Sequence, residues 1–238
     1  MKLTYIYHSG FVLEFDDFAI IIDYYKSMDK RTDEYLEQLL ASGKLLYVLV
    51  SHSHHDHFNP DILRWETPME DIIYIFSKDL LDEGKSKVGD AFYLQKTETY
   101  EDRFLKIKAY GSTDLGISFY IEVEGKRYFH AGDLNNWHWN EESTAKEVEE
   151  AEDFYHNELA EISKEVKHLD LAIFPIDARL GKDFMKGARE FIEAIQTDVL
   201  APMHFTASPD KIKLFEPIAH KHHCQYICWK STGESIII

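Results

Sequence analysis

The chain has 238 residues, of which 45% are hydrophobic, enough to bury one sizeable core, so we expect a single large domain over residues 1–238. Its net charge is −17, with 43 acidic against 26 basic residues, which repels polyanions and disfavours nucleic acid as a partner. Neither a secretory signal nor an apolar run of membrane-spanning length is present, so we expect no membrane contact and a cytoplasmic location.

The first part of the chain predicts a β-meander, then a helix and a buried strand. Alternating or continuous apolar runs predict strands at residues 3–7, 11–15, 19–22 and 45–50. Between the last two runs, "TDEYLEQLLASG" predicts a helix capped by Thr32 and closed by Gly43.

The rest of the chain predicts strands that alternate with helices. Strands are expected at residues 72–76, 104–109, 117–123, 127–130, 169–175, 199–201 and 225–229, and helices at 79–83, 143–167, 182–196 and 209–220. The acidic helical segment at about 141–167 has apolar residues at steps of three and four, so its acidic side chains are expected to face water. Cys224 and Cys228 are expected to be reduced. The whole pattern predicts an α+β fold of two packed sheets with helices outside.

The stretch "SHSHHDH" after the strand at 45–50 points to metal binding. Neighbouring imidazoles repel one another when protonated, so a cluster of four histidines indicates that a metal ion is bound there. His52 and His54 alternate in extended geometry and can point the same way, while Asp56 and His57 lie around the following turn. One loop can therefore offer two imidazoles to one cation and a carboxylate with an imidazole to a neighbouring cation. His55 lies between these ligands and is expected to point away.

Two further ligands are predicted at strand ends. Asp133 lies in the glycine-containing turn of "HAGD", where the backbone can come close, and is expected to bridge two metal ions. His204, in "PMHF", follows a short apolar strand that can aim the side chain inward.

These stretches resemble the metallo-β-lactamase superfamily. Its His-x-His-x-Asp-His motif, bridging aspartate and late histidine are matched by His52, His54, Asp56, His57, Asp133 and His204. The resemblance implies a four-layer αβ/βα sandwich with a dinuclear metal cleft at one edge. Within the superfamily, "YIYHSGF", "YFHAGD" and "PMHF" resemble the L-ascorbate-6-phosphate lactonase-like branch. Members of that branch often carry a histidine in the first turn, here His8, which either reaches the cleft mouth or is an ordinary turn residue.

One position departs from the superfamily pattern. Where the family usually has a histidine in a Gly-His-Thr turn, this chain has Ser112, and serine is a poor zinc ligand. Three interpretations stay open. Asp114 replaces the histidine as an oxygen ligand, the first site is weak or prefers a harder cation such as Mn²⁺, or the protein holds only the second metal.

Three more residues are candidates for the surroundings of the metals. His130 precedes the Asp133 turn and could orient a ligand. His138, flanked by two tryptophans, either lines the cleft or belongs to a packed loop. Arg179 either binds a substrate anion or makes a surface salt bridge.

The sequence thus predicts a metal-dependent hydrolase that cleaves an ester, lactone or phosphodiester bond of a small molecule. Asp56 is expected to ligate a metal and to orient the attacking water as a base would. The cofactor is expected to be one or two Zn²⁺ ions, with Mn²⁺ as the other candidate. The alternative is a non-catalytic metal-binding sensor or scaffold with a degenerate first site. A nuclease is disfavoured because basic surfaces are absent, and homo-oligomerisation is left open.

Overall fold

A computed structural model describes residues 1–67, 71–206 and 208–238. The chain divides into two compact units, the first made of Met1–Leu94 with Trp229–Ile238 and the second of Gln95–Cys228. Each unit contains a seven-stranded mixed sheet and helices, as the α+β prediction requires. The expectation of one domain over 1–238 stays a prediction. Within the described ranges, no helix is long and apolar enough to cross a bilayer.

Within residues 1–67, 71–206 and 208–238, the two units contain fourteen strands and five α-helices. The strands are β1 (Lys2–Tyr7), β2 (Gly10–Glu14), β3 (Phe18–Ile22), β4 (Leu45–Val50), β5 (Ile72–Ser77), β6 (Phe92–Leu94), β7 (Thr99–Glu101), β8 (Lys106–Gly111), β9 (Ile117–Val123), β10 (Lys126–His130), β11 (His168–Pro175), β12 (Gln196–Met203), β13 (Gln225–Tyr226) and β14 (Ser235–Ile237). The helices are α1 (Lys30–Leu40), α2 (Asp79–Asp82), α3 (Ala145–Glu165), α4 (Lys186–Ala194) and α5 (Glu216–Lys221), with 3-10 helices at Pro60–Arg64, Ala178–Asp183 and Pro209–Phe215.

The two sheets share one pattern of strand pairing. The first has the order β14-β1-β2-β3-β4-β5-β6 and the second β7-β8-β9-β10-β11-β12-β13, and in each the first three pairings are antiparallel and the last three parallel. Since β1 and β3 are both antiparallel to β2, β1 runs in the same direction as β3, β4, β5 and β6. By the same argument β8 runs with β10, β11, β12 and β13. Each unit therefore has one sheet edge towards which five strands run, the position where α/β sheets place their chemistry.

Helix α1 begins earlier than the sequence indicates. The carboxylate of Asp29 accepts from the Thr32 amide at 2.9 Å and is the N-cap, so the prediction of Thr32 as the cap was wrong. Thr32 lies in the first turn instead and is buried. An aspartate side chain accepts the amide hydrogen bond as well as a threonine side chain does. Asp29, the first aspartate in "MDKRTDEYL", was the missed signal.

Several element boundaries also differ from prediction. The helix expected at 182–196 begins only at Lys186, because Gly181 adopts φ +79 and interrupts the preceding 3-10 helix. The segment 209–220 is a 3-10 helix followed by α5, and the strand expected at 225–229 is confined to Gln225–Tyr226. Strands β6, β7 and β14, three residues each, were not predicted. Cys224 and Cys228 lie outside β13 and are free thiols, which confirms their predicted reduced state.

Helix α3 corresponds to the acidic segment and contains one exception to the predicted pattern. A capping box between Thr144 and Glu147 begins the helix, and Tyr155 and Leu159 are among its buried residues. Glu158 is buried as well, at 8% exposure, so the prediction that the acidic side chains face water was wrong there. The Lys96 ammonium, 2.8 Å from Glu158 Oε1, offsets part of the cost of burying that charge.

The last ten residues return to the first unit. Strand β14 pairs antiparallel with β1, and the Tyr5 backbone exchanges hydrogen bonds with Glu234 O at 3.0 Å and Gly233 N at 2.8 Å. The Trp229 ring stacks on Tyr5 with centroids 5.6 Å apart and contacts Phe11 at 5.9 Å. The first unit is thus completed by residues that follow the second unit in the chain.

Candidate metal centre

The first-unit edge, the place where β1, β3 and β4 end, carries the histidine cluster. His8 follows β1, Asp23 follows β3, and Ser51 to His57 follow β4. His8 and Asp23 have φ of 57° and 48°, a left-handed conformation that non-glycine residues rarely adopt. Such backbone strain is typically concentrated at functional sites, where the surrounding structure enforces it.

Asp23 is the main site residue that sequence reasoning missed. It is fully buried, and its carboxylate accepts from the Ser51 amide at 2.7 Å, from Ser51 Oγ at 2.6 Å and from His57 Nδ1 at 2.8 Å. Ser51 Oγ in turn lies 2.9 Å from His52 Nδ1. The only signal in the sequence was an acidic residue directly after a buried apolar run.

These contacts fix the tautomers of two imidazoles. His57 Nδ1 donates to the Asp23 carboxylate, and His52 Nδ1 donates to a hydroxyl whose own proton goes to Asp23. A neutral imidazole protonated at Nδ1 presents a lone pair at Nε2, the atom that binds a metal. Metal-binding histidines in proteins are oriented in this way by carboxylates behind them.

The potential ligand atoms of the first-unit edge lie close together. The rings of His52 and His57 have centroids 4.0 Å apart, and the rings of His52 and His54 4.8 Å apart. One ligand atom each of His8, Asp56 and His57 lies within 4.8 Å of the others. The His55 side chain, by contrast, is 86% exposed, as expected for a residue that points away.

Asp56 is held as a carboxylate. Burial raises its pKa, but the hydrogen bond from His8 and the charges of His57 and His8 outweigh burial and bring the pKa well below its usual range. His8 Nε2 lies 3.2 Å from Asp56 Oδ2. The contact places His8 beside the residue predicted to orient the nucleophile.

The backbone between His52 and His54 is held from three sides. The Ser53 amide donates to Asp79 Oδ2 at 2.8 Å, and Ser53 Oγ donates to Glu83 Oε2 at 2.9 Å. The Lys85 ammonium donates to the Ser53 carbonyl. Helix α2 and the residues that follow it therefore fix the loop that carries the two imidazoles.

The second-unit edge, where β8, β10, β11 and β12 end, carries the remaining candidates. His204 follows β12 with φ 62°, and its Nδ1 lies 2.8 Å from the buried carboxylate of Asp177, which follows β11. Its Nε2 lies 3.5 Å from Asp133 Oδ1. Burial raises the Asp177 pKa, but hydrogen bonds from His204 and Arg179 outweigh it and lower the pKa to about 2. His204 is thus oriented by an aspartate as His57 is.

Arg179 forms a salt bridge, the second of its two predicted roles. Its Nε donates to Asp177 Oδ2 at 2.8 Å, and its Nη2 lies 3.3 Å from His204 Nδ1. The guanidinium side chain is half exposed, while its partner is buried. A role in binding a substrate anion stays a prediction.

The stretch that lacks the expected histidine also lies at the second-unit edge. Ser112 is buried and its Oγ accepts from the Asp114 amide at 3.3 Å. Asp114 is exposed, and one of its carboxylate oxygens lies within 4.8 Å of one of Asp133. Thr113 Oγ1 donates to the Asn135 carbonyl at 2.6 Å and ties this loop to the one that carries Asp133.

His130 and His138 contact backbone groups. His130 is buried and its Nδ1 accepts from the Gly132 amide at 3.2 Å, so it supports the turn before Asp133. His138 is buried, its Nδ1 accepts from the Asn140 amide at 3.2 Å, and its Nε2 lies 3.4 Å from the Asp183 carbonyl. These contacts favour the packed-loop interpretation of His138.

The neighbouring tryptophan Trp137 contacts two of the candidate ligands. Its Nε1 donates to the Asp133 carbonyl at 2.7 Å, and its ring lies 5.4 Å from that of His204. It also stacks on Trp139 at 6.1 Å.

Each of the two edges carries donors that fit a divalent metal ion. Imidazoles oriented through Nδ1 suit zinc, and added carboxylate oxygens, such as those of Asp114 and Asp133, also suit manganese. Two mixed sheets that carry such donors at their C-terminal edges define a metal-binding α+β protein.

Comparison with known proteins identifies the family. The family described as "Beta-lactamase superfamily domain" matches residues 2–150, more than half of the chain, so the chain belongs to this superfamily. It is 27% identical over 230 residues to the metal-dependent hydrolase YtkL of Bacillus subtilis, a match that covers 88% of this chain and 87% of YtkL.

Solved structures show the same fold. Igni18, a metallo hydrolase from the archaeon Ignicoccus hospitalis, matches with a TM-score of 0.70 and 19% identity over 99% of this chain and 97% of Igni18. The metallo-beta-lactamase fold protein YhfI from Bacillus subtilis matches with a TM-score of 0.66 and 13% identity over 99% and 98% of the two chains. The predicted fold class and, at the level of the family, the predicted class of enzyme are confirmed. The narrower likeness to the lactonase-like branch stays a prediction.

Proposed function

We propose that the chain is a hydrolase that uses a metal-activated water to cleave an ester, lactone or phosphodiester bond of a small molecule. The observation that carries the proposal is the hydrogen-bonded series His57–Asp23–Ser51–His52, which holds two imidazoles in the tautomer that binds metal. The family and the printed names of the relatives support hydrolysis as the reaction.

Each of the two sheet edges carries proposed metal ligands. They are His52, His54, Asp56 and His57 in the first unit and Asp133 and His204 in the second, with Asp114 in place of the missing histidine. The match to the superfamily motif supports this set, and the approach of Asp114 to Asp133 supports the replacement. We propose Zn²⁺ as the metal, one or two ions per chain, with Mn²⁺ as the alternative favoured by the additional oxygen donor.

The residues of the first-unit edge would orient the attacking water. When bound, a divalent metal lowers the pKa of a coordinated water from about 15.7 to near 7, which supplies hydroxide at neutral pH. Asp56, kept ionised by His8 and His57, would orient the water by accepting a hydrogen bond from it. His8, in contact with Asp56, would fix the carboxylate in that position.

The charge of the chain supports a small substrate. A net charge of −17 repels a polyanion, so nucleic acid stays disfavoured, while a small anion can still be attracted by metals and by local cations. A cytoplasmic location and an oligomeric state beyond the monomer stay predictions.

The test combines metal analysis with turnover. Elemental analysis of gently purified protein gives metal identity and metal per chain, and bis(p-nitrophenyl) phosphate and δ-valerolactone report hydrolysis. We expect bound metal, turnover of at least one substrate, and a loss of about 10²–10⁴-fold in kcat for Asp56→Asn. Asp61→Asn, at an exposed carboxylate paired with Arg64, is the matched control and should leave kcat unchanged.

A protein without turnover would contradict the proposal. One metal or none per chain, with no turnover after Zn²⁺ or Mn²⁺ is restored, would favour the non-catalytic sensor or scaffold. The observation that favours this second function is the buried Ser112, a poor zinc ligand at the position where the family usually has a histidine.

A further inference from the structure

A lysine ammonium lies over two tyrosine rings in the first unit. Lys26 Nζ is 4.6 Å from the centroid of Tyr25 and 5.2 Å from that of Tyr7, and the two ring centroids are 6.2 Å apart. All three residues are half-buried. Attraction between the cation and the ring faces holds the long side chain in one place, which lowers the entropy that it would lose on binding a ligand.

The loop that carries Lys26 is fixed by contacts with Asn59 and Trp65. The carbonyls of Tyr24 and Tyr25 accept from the backbone amide and the side-chain amide of Asn59 at 3.1 and 2.8 Å. The Tyr24 ring packs against Trp65 with centroids 5.0 Å apart. A cation on such a loop has a defined position without help from a ligand.

This group of side chains adjoins the residues around Asp56. Tyr7 directly precedes His8, whose imidazole contacts Asp56, and the Tyr25 ring meets the His55 ring edge to face at 5.9 Å. The Lys26 loop itself begins directly after Asp23. The ammonium therefore lies within the same sheet edge as the carboxylate proposed to orient the water.

Lys26 differs from the neighbouring lysine Lys30 in its surroundings. Among the residues that the structure describes, no carboxylate lies within salt-bridge distance of its ammonium, although acidic residues exceed basic ones by 43 to 26. Lys30, four residues later, shows the usual arrangement, with its ammonium 3.3 Å from Glu34. A half-buried cation held by aromatic rings without an acidic partner can accept an anion from solution.

We propose that Lys26 binds the anionic group of the substrate, a carboxylate or a phosphate, while the faces of Tyr7 and Tyr25 contact an adjoining planar or apolar part. The inference rests on the proposed function and adds the substrate class, a small amphipathic anion. A polyanion does not fit, because this is one cation on an acidic chain and not a basic surface.

The first test measures binding and requires no turnover. Isothermal titration of the purified holoprotein with phenylphosphonate, succinate and inorganic phosphate gives dissociation constants for wild type and variants. Lys26→Gln is expected to weaken phenylphosphonate binding by about tenfold, the effect of one charge-assisted hydrogen bond. Lys26→Arg should retain most of the affinity, and Lys30→Gln, at an exposed lysine, should match wild type.

The tyrosines provide a second matched pair of variants. Tyr25→Phe keeps the ring and should bind phenylphosphonate as wild type does, whereas Tyr25→Leu removes the ring and should weaken binding. Inorganic phosphate has no planar part, so its affinity should respond to Lys26→Gln and be less sensitive to Tyr25→Leu. Tighter binding of succinate than of phosphate would assign the site to carboxylates.

Kinetics separate this inference from the proposed function. With mono-p-nitrophenyl succinate, Lys26→Gln should raise KM by about tenfold at similar kcat, and with neutral p-nitrophenyl acetate it should change neither. If the wild-type protein shows turnover but Lys26→Gln binds all three anions within twofold of wild type, the anion site at Lys26 is contradicted and the proposed hydrolase function stands. If the wild-type protein shows no turnover but anion binding depends on Lys26, the hydrolase function is contradicted and the anion site stands.

Discussion

Replacement of Asp23 by asparagine tests the orientation of the imidazoles directly. Asparagine keeps the shape of the side chain but has one acceptor oxygen, whereas the Asp23 carboxylate accepts three hydrogen bonds, from Ser51 N, Ser51 Oγ and His57 Nδ1. The new NH₂ group would face the Nδ1 proton of His57, and two donors cannot share a hydrogen bond. His57 would therefore shift its proton to Nε2 and lose the lone pair that binds metal.

The size of the effect follows from the loss of an orienting carboxylate. Such changes reduce metal affinity by about 10–100-fold, equal to about 1.4–2.7 kcal/mol. The assay is competition for Zn²⁺ between the protein and a chromogenic chelator, at one pH and ionic strength. Thermal unfolding of the metal-free proteins, recorded in parallel, separates a loss of affinity from a loss of folded protein.

The control is Asp61→Asn, since Asp61 is exposed and pairs only with Arg64 among the contacts described for its carboxylate. A Zn²⁺ affinity of Asp23→Asn within twofold of wild type, in protein that unfolds at the same temperature, would refute the tautomer argument. It would also remove the main support for His57 as a ligand.

Three further outcomes are expected. Asp177→Asn should lower Zn²⁺ affinity by about tenfold, because the carboxylate holds His204 Nδ1 at 2.8 Å, and unchanged affinity in the chelator assay would exclude His204 as a ligand. Gly111→Ala should lower the free energy of unfolding in urea by about 1–3 kcal/mol, since an added Cβ would lie 2.0 Å from Glu158 Oε2, and equal cost in a Glu158→Ala background would contradict this cause. Cys224, whose pKa burial raises to about 12, should react with iodoacetamide about 10³-fold more slowly in native than in urea-unfolded protein, as mass spectrometry would show.

The sequence indicates candidate ligands more readily than it indicates the residues that orient them. His52, His54, Asp56 and His57 lie on one loop, so their spacing alone indicates shared chemistry. The role of Asp23 depends on the parallel pairing of β3 with β4, which brings the end of one strand to the loop after the other. A pairing between segments more than twenty residues apart leaves no local pattern in the sequence.

The same limit explains the errors in the fold. Strand β14 is only three residues long and forms by pairing with β1, some 230 residues earlier, so no periodicity reveals it. Glu158 lies within a run of acidic residues that face water, and its partner Lys96 is distant in the sequence. In contrast, β3 and β4 are continuous apolar runs, and the sequence predicted both within one residue.

The return of residues 229–238 to the first unit has a consequence for the order of events during synthesis. The Tyr5 ring stacks on Trp229, and its backbone forms hydrogen bonds with residues 233 and 234. Its hydroxyl accepts from the His8 amide at 3.0 Å. A ribosome makes these last residues only after the whole of 95–228. The turn that presents His8 to Asp56 therefore gains its support last, and a nascent chain carries all the proposed ligands before it can hold that turn in place.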